Sequence, residues 1–129
     1  MLDGCGRTID YLRLSVTDLC NYRCRYCMPL EGVAKRDHRD MLSLEELAEI
    51  AEACVRCGVK KIRLTGGEPL VRRGIVELCR QLRAIPGLEE LCLTTNGSLL
   101  PQLAAPLREA GLDRLNISLD TLRPDRFSE

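Results

Sequence analysis

Four short runs of the chain alternate strictly between apolar and polar residues, and segments of helical period separate them. The first is Tyr11-Leu-Arg-Leu-Ser-Val-Thr17, with Leu12, Leu14 and Val16 on one side of the pleat. Lys61-Ile-Arg-Leu-Thr65, Leu91-Cys-Leu-Thr-Thr95 and Arg114-Leu-Asn-Ile-Ser-Leu-Asp120 repeat the pattern. A period of two is that of extended strand. Between the first two runs, Ser43-Leu-Glu-Glu46 has the form of a capping box that opens a helix. The apolar stripe behind it passes through Leu44, Leu47, Ala48, Ala51, Cys54 and Val55 until Gly58 ends it. A second helix, from about Arg73 to Ala84, carries Ile75, Leu78, Cys79 and Leu82 and stops at Pro86-Gly87. A third, from about Leu99 to Ala110, carries Leu100, Leu103, Ala104 and Leu107, with Gly111 beyond its end. Strands alternating with helices predict an α/β fold whose parallel sheet is built from right-handed βαβ units.

The polar side of those strands changes what kind of sheet this is. Fully buried parallel strands read as continuous apolar runs, and filled barrel interiors are Val, Ile and Leu. Here one face carries Arg13, Ser15 and Thr17, then Arg63 and Thr65, Thr94 and Asn96, and Asn116, Ser118 and Asp120. Helices cover the Leu/Ile/Val face, so the polar face lines a concave interior. Burying those groups without partners would cost about 1–3 kcal/mol each, which a lumen filled by water or ligand avoids. The competing reading is an antiparallel sheet with one solvated face, against which the helical connections count. A partial barrel around a large polar ligand fits the pattern.

The chain's 129 residues suffice for one compact domain. With 19 basic and 19 acidic residues, net charge points to neither nucleic acid nor membrane. Aromatics make up 3% and tryptophan is absent, leaving little stacking surface for single strands. No apolar run approaches the ~20 residues of a membrane span, and Met1-Leu2-Asp3-Gly4 begins no signal peptide. Eight cysteines without an export signal point to a reducing, cytoplasmic compartment, with thiols free or on metal.

Three of those cysteines stand together in Cys20-Asn-Tyr-Arg-Cys24-Arg-Tyr26-Cys27, on the loop after the first strand. Soft thiolates suit zinc, copper(I) and iron–sulfur clusters. Structural zinc sites usually supply four ligands, and a cubane cluster also takes four. With three, one iron would keep an open position for another ligand. Thr65-Gly66-Gly67-Glu68-Pro69 falls at the C-terminal end of the second strand, where barrel active sites form. Its glycines permit close approach of backbone to a ligand, and Glu68 offers a carboxylate to a cation. On its own, GGEP also reads as a strand-to-helix turn with Pro69 at the first helical position.

The x3/x2 cysteine spacing, with an aromatic before the third cysteine, resembles the radical S-adenosylmethionine (SAM) superfamily, and GGEP resembles that superfamily's SAM-binding motif. Further blocks resemble the N-terminal part of the GTP 3′,8-cyclase family. They are Gly6-Arg7, Tyr11-Leu-Arg-Leu-Ser-Val-Thr-Asp18, Cys27-Met-Pro29, Lys61-Ile-Arg-Leu-Thr-Gly-Gly-Glu-Pro-Leu70, Thr94-Thr-Asn-Gly97 and Asn116-Ile-Ser-Leu-Asp-Thr-Leu122. The resemblance implies that residues 1–129 are the N-terminal portion of a radical SAM core, a partial (βα) barrel truncated after about four parallel strands. It implies a [4Fe–4S] cluster on Cys20, Cys24 and Cys27. It places SAM against Tyr26, Gly66, Gly67, Glu68 and Ser118, and GTP against Arg13, Arg63 and Thr94, with no catalytic side chain beyond the cluster and SAM site. The implied reaction is a lyase step that opens molybdenum-cofactor biosynthesis. One electron delivered to the sulfonium of SAM yields methionine and a 5′-deoxyadenosyl radical. Hydrogen abstraction at the ribose 3′ carbon of GTP then leads to (8S)-3′,8-cyclo-7,8-dihydroguanosine 5′-triphosphate. Implied partners are GTP and a reductant protein such as flavodoxin or ferredoxin, without nucleic acid polymer or membrane. A homodimer is compatible with the resemblance.

Where the chain departs from that family, expectations narrow. Radical SAM cores resemble six-stranded partial barrels, whereas four strands and three complete helices are read here, a fourth helix starting near Pro124. The family's second cluster, which helps hold GTP, uses three cysteines of a C-terminal region, and its double-glycine tail also has no match here. None of Cys5, Cys54, Cys57, Cys79 and Cys92 matches those three ligands. The chain thus reads as a partial cyclase, and turnover of GTP by the 129 residues alone is not expected. A peptide-maturing radical SAM enzyme would share the cysteine loop and GGEP without needing Arg13 and Arg63. A non-catalytic iron–sulfur-binding fragment is the reading from another class. Cys54 and Cys79 lie on apolar stripes and read as core thiols, Cys92 shares a strand face with Thr94, and Cys5 has no assigned role. His38 in Lys35-Arg-Asp-His-Arg-Asp40 reads as part of a solvated charged loop.

Overall fold

The computed structural model describes residues 2–27 and 41–127; the charged stretch around His38 and the Met28-Pro29 dipeptide lie outside the described residues. In chain order come β1 (Tyr11–Ser15), α1 (Leu44–Arg56), β2 (Lys61–Thr65), a 3-10 turn (Pro69–Val71) and α2 (Ile75–Arg83). β3 (Glu90–Thr95), α3 (Leu100–Glu109), β4 (Arg114–Ile117) and α4 (Pro124–Phe127) follow. The strands form one sheet in the order β1-β2-β3-β4, and every neighbouring pair is parallel. The sheet is open rather than closed, as the sequence reading of a partial barrel requires.

The alternation in the strands sorts the side chains as expected. Leu14, Ile62, Leu64, Leu91 and Leu93 are buried with Leu47, Ala51 and Val55 of α1, Leu78, Cys79 and Leu82 of α2, and Leu107 of α3. Each of the Leu, Ile and Val side chains among them contributes roughly 1.5–3 kcal/mol through burial. The capping box at α1 is formed: the Glu46 amide donates to Ser43 Oγ at 3.1 Å, and the Ser43 amide donates to Glu46 Oε2 at 2.7 Å. Helix α2 starts at Ile75 rather than near Arg73, because Gly74 sits at φ 84° and breaks the helical path.

Three side chains differ from the pattern read along the sequence. Thr17 is buried, not lumenal: β1 ends at Ser15, and the Thr17 Oγ1 turns back to accept from the Leu19 amide at 3.1 Å. Ala104 is exposed, although it lies on the apolar stripe of α3. It borders a small groove of about 130 Å³ with Leu107 and Leu115, on the outer side of β4. Leu115 and Ile117, the apolar residues of β4, are themselves exposed, so among the described residues no helix covers them.

Candidate functional site

The site is built at the C-terminal ends of the strands, and its floor is the GGEP turn. The Gly67 amide donates to the Thr17 carbonyl and the Glu68 amide to the Leu19 carbonyl, both at 2.8 Å. A Cβ on Gly66 would run into the Thr17 carbonyl oxygen, and one on Gly67 into that of Leu19. Gly66 also holds φ 142°, a conformation that side chains rarely adopt. The sequence reading gave these glycines to a bound ligand. The protein's own backbone demands them as well, because the carbonyls of Thr17 and Leu19 at the start of the cysteine loop fill the space a Cβ would need.

Glu68 is buried at 1% exposure, and its carboxylate faces the protein. Oε1 accepts from the Leu70 amide at 3.0 Å and from Thr95 Oγ1 at 2.7 Å. Oε2 accepts from the Asn96 amide at 2.6 Å. One side chain thereby ties the end of β2 to the end of β3. Three donors leave part of its acceptor capacity unused, since a carboxylate offers about four lone-pair sites.

Two further links hold the cysteine loop over the strand ends. Asn21 Nδ2 donates to Ser98 Oγ at 2.8 Å, Ser98 Oγ donates to Asn96 Oδ1 at 2.7 Å, and Asn96 Nδ2 donates to Asn21 Oδ1 at 2.9 Å. This closed ring of three side chains joins the loop to the turn after β3. The Tyr26 hydroxyl donates to Asp120 Oδ1 at 2.8 Å, beyond the end of β4. That hydrogen bond to a carboxylate, with some desolvation and the negative charge nearby, pushes the Tyr26 phenol up to about 12. Ser118 is anchored through its amide, which donates to the Thr95 carbonyl at 2.8 Å.

Within the loop, the Cys27 amide donates to the Cys24 carbonyl at 2.9 Å, a turn that brings the last two cysteines close. Cys20 Sγ accepts from the Tyr22 amide at 3.4 Å. Burial pushes the Cys24 thiol up, and Asp120, Cys20 and Cys27 add to it, so the three sulfurs feel one another. Among the described residues no three His, Cys, Asp or Glu side chains converge on one point to hold a single ion. A cubane cluster makes no such demand, because each thiolate takes a different iron. Three soft donors on one short loop therefore fit a cluster better than a lone ion. Beside Cys24 and Tyr26, a cleft of about 480 Å³ runs toward Asp120, Thr121 and Phe127.

Beneath the loop lies the polar face of the sheet. Arg13 and Arg63 are register partners on adjacent strands, and Thr94 is the register partner of Asn116. Arg63 donates from Nε to the Tyr11 hydroxyl at 2.7 Å and from Nη1 to Thr94 Oγ1 at 3.3 Å. The same Nη1 donates to Asn116 Oδ1. Among the described residues no hydrogen bond or ion pair ties the Arg13 guanidinium. At the opposite end of the face, Glu90 pairs with Lys61 at 3.0 Å and with Arg114 at 3.2 Å. The buried Cys92 thiol donates to the same carboxylate at 3.1 Å. Among the described residues Asp120 pairs with neither Arg13 nor Arg63, and its carboxylate accepts from Tyr26 instead.

The sequence motif of the radical SAM superfamily matches residues 14–128, spanning the cysteine loop, the GGEP turn and all later strands. The chain belongs to the radical SAM superfamily. It is 61% identical over 127 residues to a GTP 3′,8-cyclase of Peptoclostridium acidaminophilum, covering 98% of this chain and 39% of that protein. Identity to the GTP 3′,8-cyclase of Geobacter sulfurreducens is 62% over 127 residues, with the same coverage of 98% and 39%. For that of Pseudomonas putida it is 59% over 129 residues, or 100% of this chain and 38% of the relative. The chain thus spans about two fifths of the length of the curated relatives it matches. Membership in the radical SAM superfamily implies an iron–sulfur cluster and SAM as cofactors, and the four parallel strands are part of that barrel. Among the described residues no helix is long and apolar enough to cross a membrane.

Sequence reasoning missed Tyr11, Asn21, Ser98 and the Lys61–Glu90–Arg114 cluster. Tyr11 and Arg114 were within reach, since the period of two that marks Arg13 and Asn116 marks them too. Asn21 and Ser98 stand 77 positions apart, and no local pattern joins them.

Proposed function

We propose that this chain carries the cluster loop, the SAM turn and part of the nucleotide site of a GTP 3′,8-cyclase, the activity named for its curated relatives. The observation that supports this reading is the Arg13–Arg63 pair, two cations side by side on the polar face of adjacent strands with no acid between them. Planar guanidinium forks match phosphate oxygens, and uncompensated neighbours of like charge favour a polyanion.

In this reading Cys20, Cys24 and Cys27 hold a [4Fe–4S] cluster. Gly66, Gly67, Glu68, Tyr26 and Ser118 line the SAM side, and Arg13, Arg63 and Thr94 take the triphosphate of GTP. Bound there, the cluster and SAM would supply one-electron radical chemistry directed at the ribose of the nucleotide. The chain's own residues position the reactants. The glycine turn and Glu68 fix the loop relative to β3, Asp120 orients the Tyr26 hydroxyl, and the two arginines anchor the nucleotide by its far end. A cytoplasmic compartment with a flavodoxin- or ferredoxin-type reductant completes the proposal, and residues 1–129 form the N-terminal portion of the core domain.

Anaerobic reconstitution with iron and sulfide tests the cluster: a brown protein with about one cubane per chain is expected. Cys20→Ala, Cys24→Ala or Cys27→Ala each abolish it, whereas Cys57→Ala and Cys79→Ala spare it. A colourless protein with stoichiometric zinc would sink the reading. For the nucleotide, Arg13→Ala or Arg63→Ala weakens GTP binding by about one to two decades, the equivalent of ~1.5–3 kcal/mol for charge-assisted contacts. Undiminished GTP affinity in both variants favours a peptide substrate instead.

A further inference from the structure

We infer that Asn116 and Tyr11 are positioning residues that aim the Arg63 guanidinium while leaving its charge uncancelled; the inference rests on the anion-site reading above. A guanidinium has five N–H donors in a fixed planar fork. Three of those of Arg63 are taken: Nε–H by Tyr11 and both Nη1 hydrogens by Thr94 and Asn116. The acceptors come from the other three strands, β1, β3 and β4, so the whole sheet holds this one group. Both Nη2 hydrogens have no partner among the described residues. The fork is gripped on one side and presented on the other.

All three acceptors are neutral. A carboxylate in any of these places would orient the fork equally well, and it would also neutralise it. Two acids of the neighbouring strands are engaged elsewhere, Glu90 with Lys61 and Arg114 and Asp120 with Tyr26. Neutral acceptors fix direction at no cost in charge, which is what an arginine reserved for an anion requires. A merely structural arginine would be served better by an acid, because a carboxylate adds attraction between opposite charges, and a bidentate geometry, to the hydrogen bond.

The two roles respond oppositely to Asn116→Asp, a change that keeps the shape and the acceptor oxygen and adds a charge. Asn116 is exposed, so the substitution leaves the core alone. The chain is titrated at pH 7 and constant ionic strength with inorganic tripolyphosphate, which carries the phosphate chemistry without base or ribose. Thermal melting and the Arg63 Nε–H resonance are followed in parallel. Asn116→Asp is expected to weaken binding at least tenfold while the melting temperature holds or rises. Tyr11→Phe and Asn116→Ala are expected to weaken it several-fold and to shift or broaden the Arg63 resonance, with no effect of Tyr11→Phe once Arg63 is Ala. If Arg63→Ala lowers affinity but Asn116→Asp binds as the wild type, the positioning role is wrong and the anion site stands. If the wild type does not bind, or Arg63→Ala binds equally well, the anion-site reading falls and takes this inference with it. Should Asn116→Asp fail to fold, the Tyr11→Phe affinity decides alone.

Discussion

Gly67 illustrates how a residue can be demanded by something other than what its motif advertises. The carbonyls of Asp18 and Leu19 occupy the space a side chain would need. Gly67→Ala must therefore push the cysteine loop off the turn, and overpacking of this kind costs about 1–3 kcal/mol. A denaturant titration reads the loss directly, and unaltered stability would show that the loop can move aside freely. Cys79 offers a second test at this scale. Burial pushes its thiol up from 9.0 to about 12. The raised value means the folded chain keeps the proton where the unfolded chain gives it up. The associated stability is whole below about pH 9 and is lost as pH climbs toward 12. At pH 8.5 iodoacetamide is expected to label exposed Cys5 and Cys57 in the native protein and to reach Cys79 only after unfolding. Rapid native labelling of Cys79 would contradict its burial.

Among elements, the joints are where side chains replace regular hydrogen bonding. Ser43→Ala removes the capping box of α1 and is expected to cost ~1 kcal/mol without altering the denaturant slope. Glu68→Gln turns one acceptor into a donor facing Asn96, Leu70 or Thr95, and the orphaned buried group costs about 1–3 kcal/mol. A stability change below a few tenths would mean that Glu68 does not brace β3. Strands and helices were legible because each carries its own period: α1 with its cap, β2 to the residue, and the apolar stripe of α2. The cysteine loop and Arg63 were legible for the same reason, as local spacing or strand alternation. Thr17, Ala104 and the Asn21–Ser98–Asn96 ring were not. Each depends on what a distant segment brings alongside, which a period along one segment cannot encode.

For the molecule as a whole, β4 is the exposed side. One of its edges pairs with β3 while Leu115 and Ile117 stay open to solvent, with Leu119, Leu122 and Phe127 exposed nearby. Unpaired strand edges beside apolar surface recruit further chains. Sedimentation of the 129-residue polypeptide is expected to show concentration-dependent association that Ile117→Lys reduces; a monomer at all concentrations would refute this. The ring that holds Asn21 to Asn96 has a consequence in time. Those partners lie 75 residues apart in the chain, and Tyr26 waits 94 residues for Asp120. At ~5–20 residues per second, a ribosome completes Asn21 roughly 4–15 s before it makes Asn96, its partner in that ring. During that interval the three thiols lack both the side-chain ring and the Tyr26–Asp120 hydrogen bond that fix their loop. On the proposed cluster reading, loading waits for the sheet.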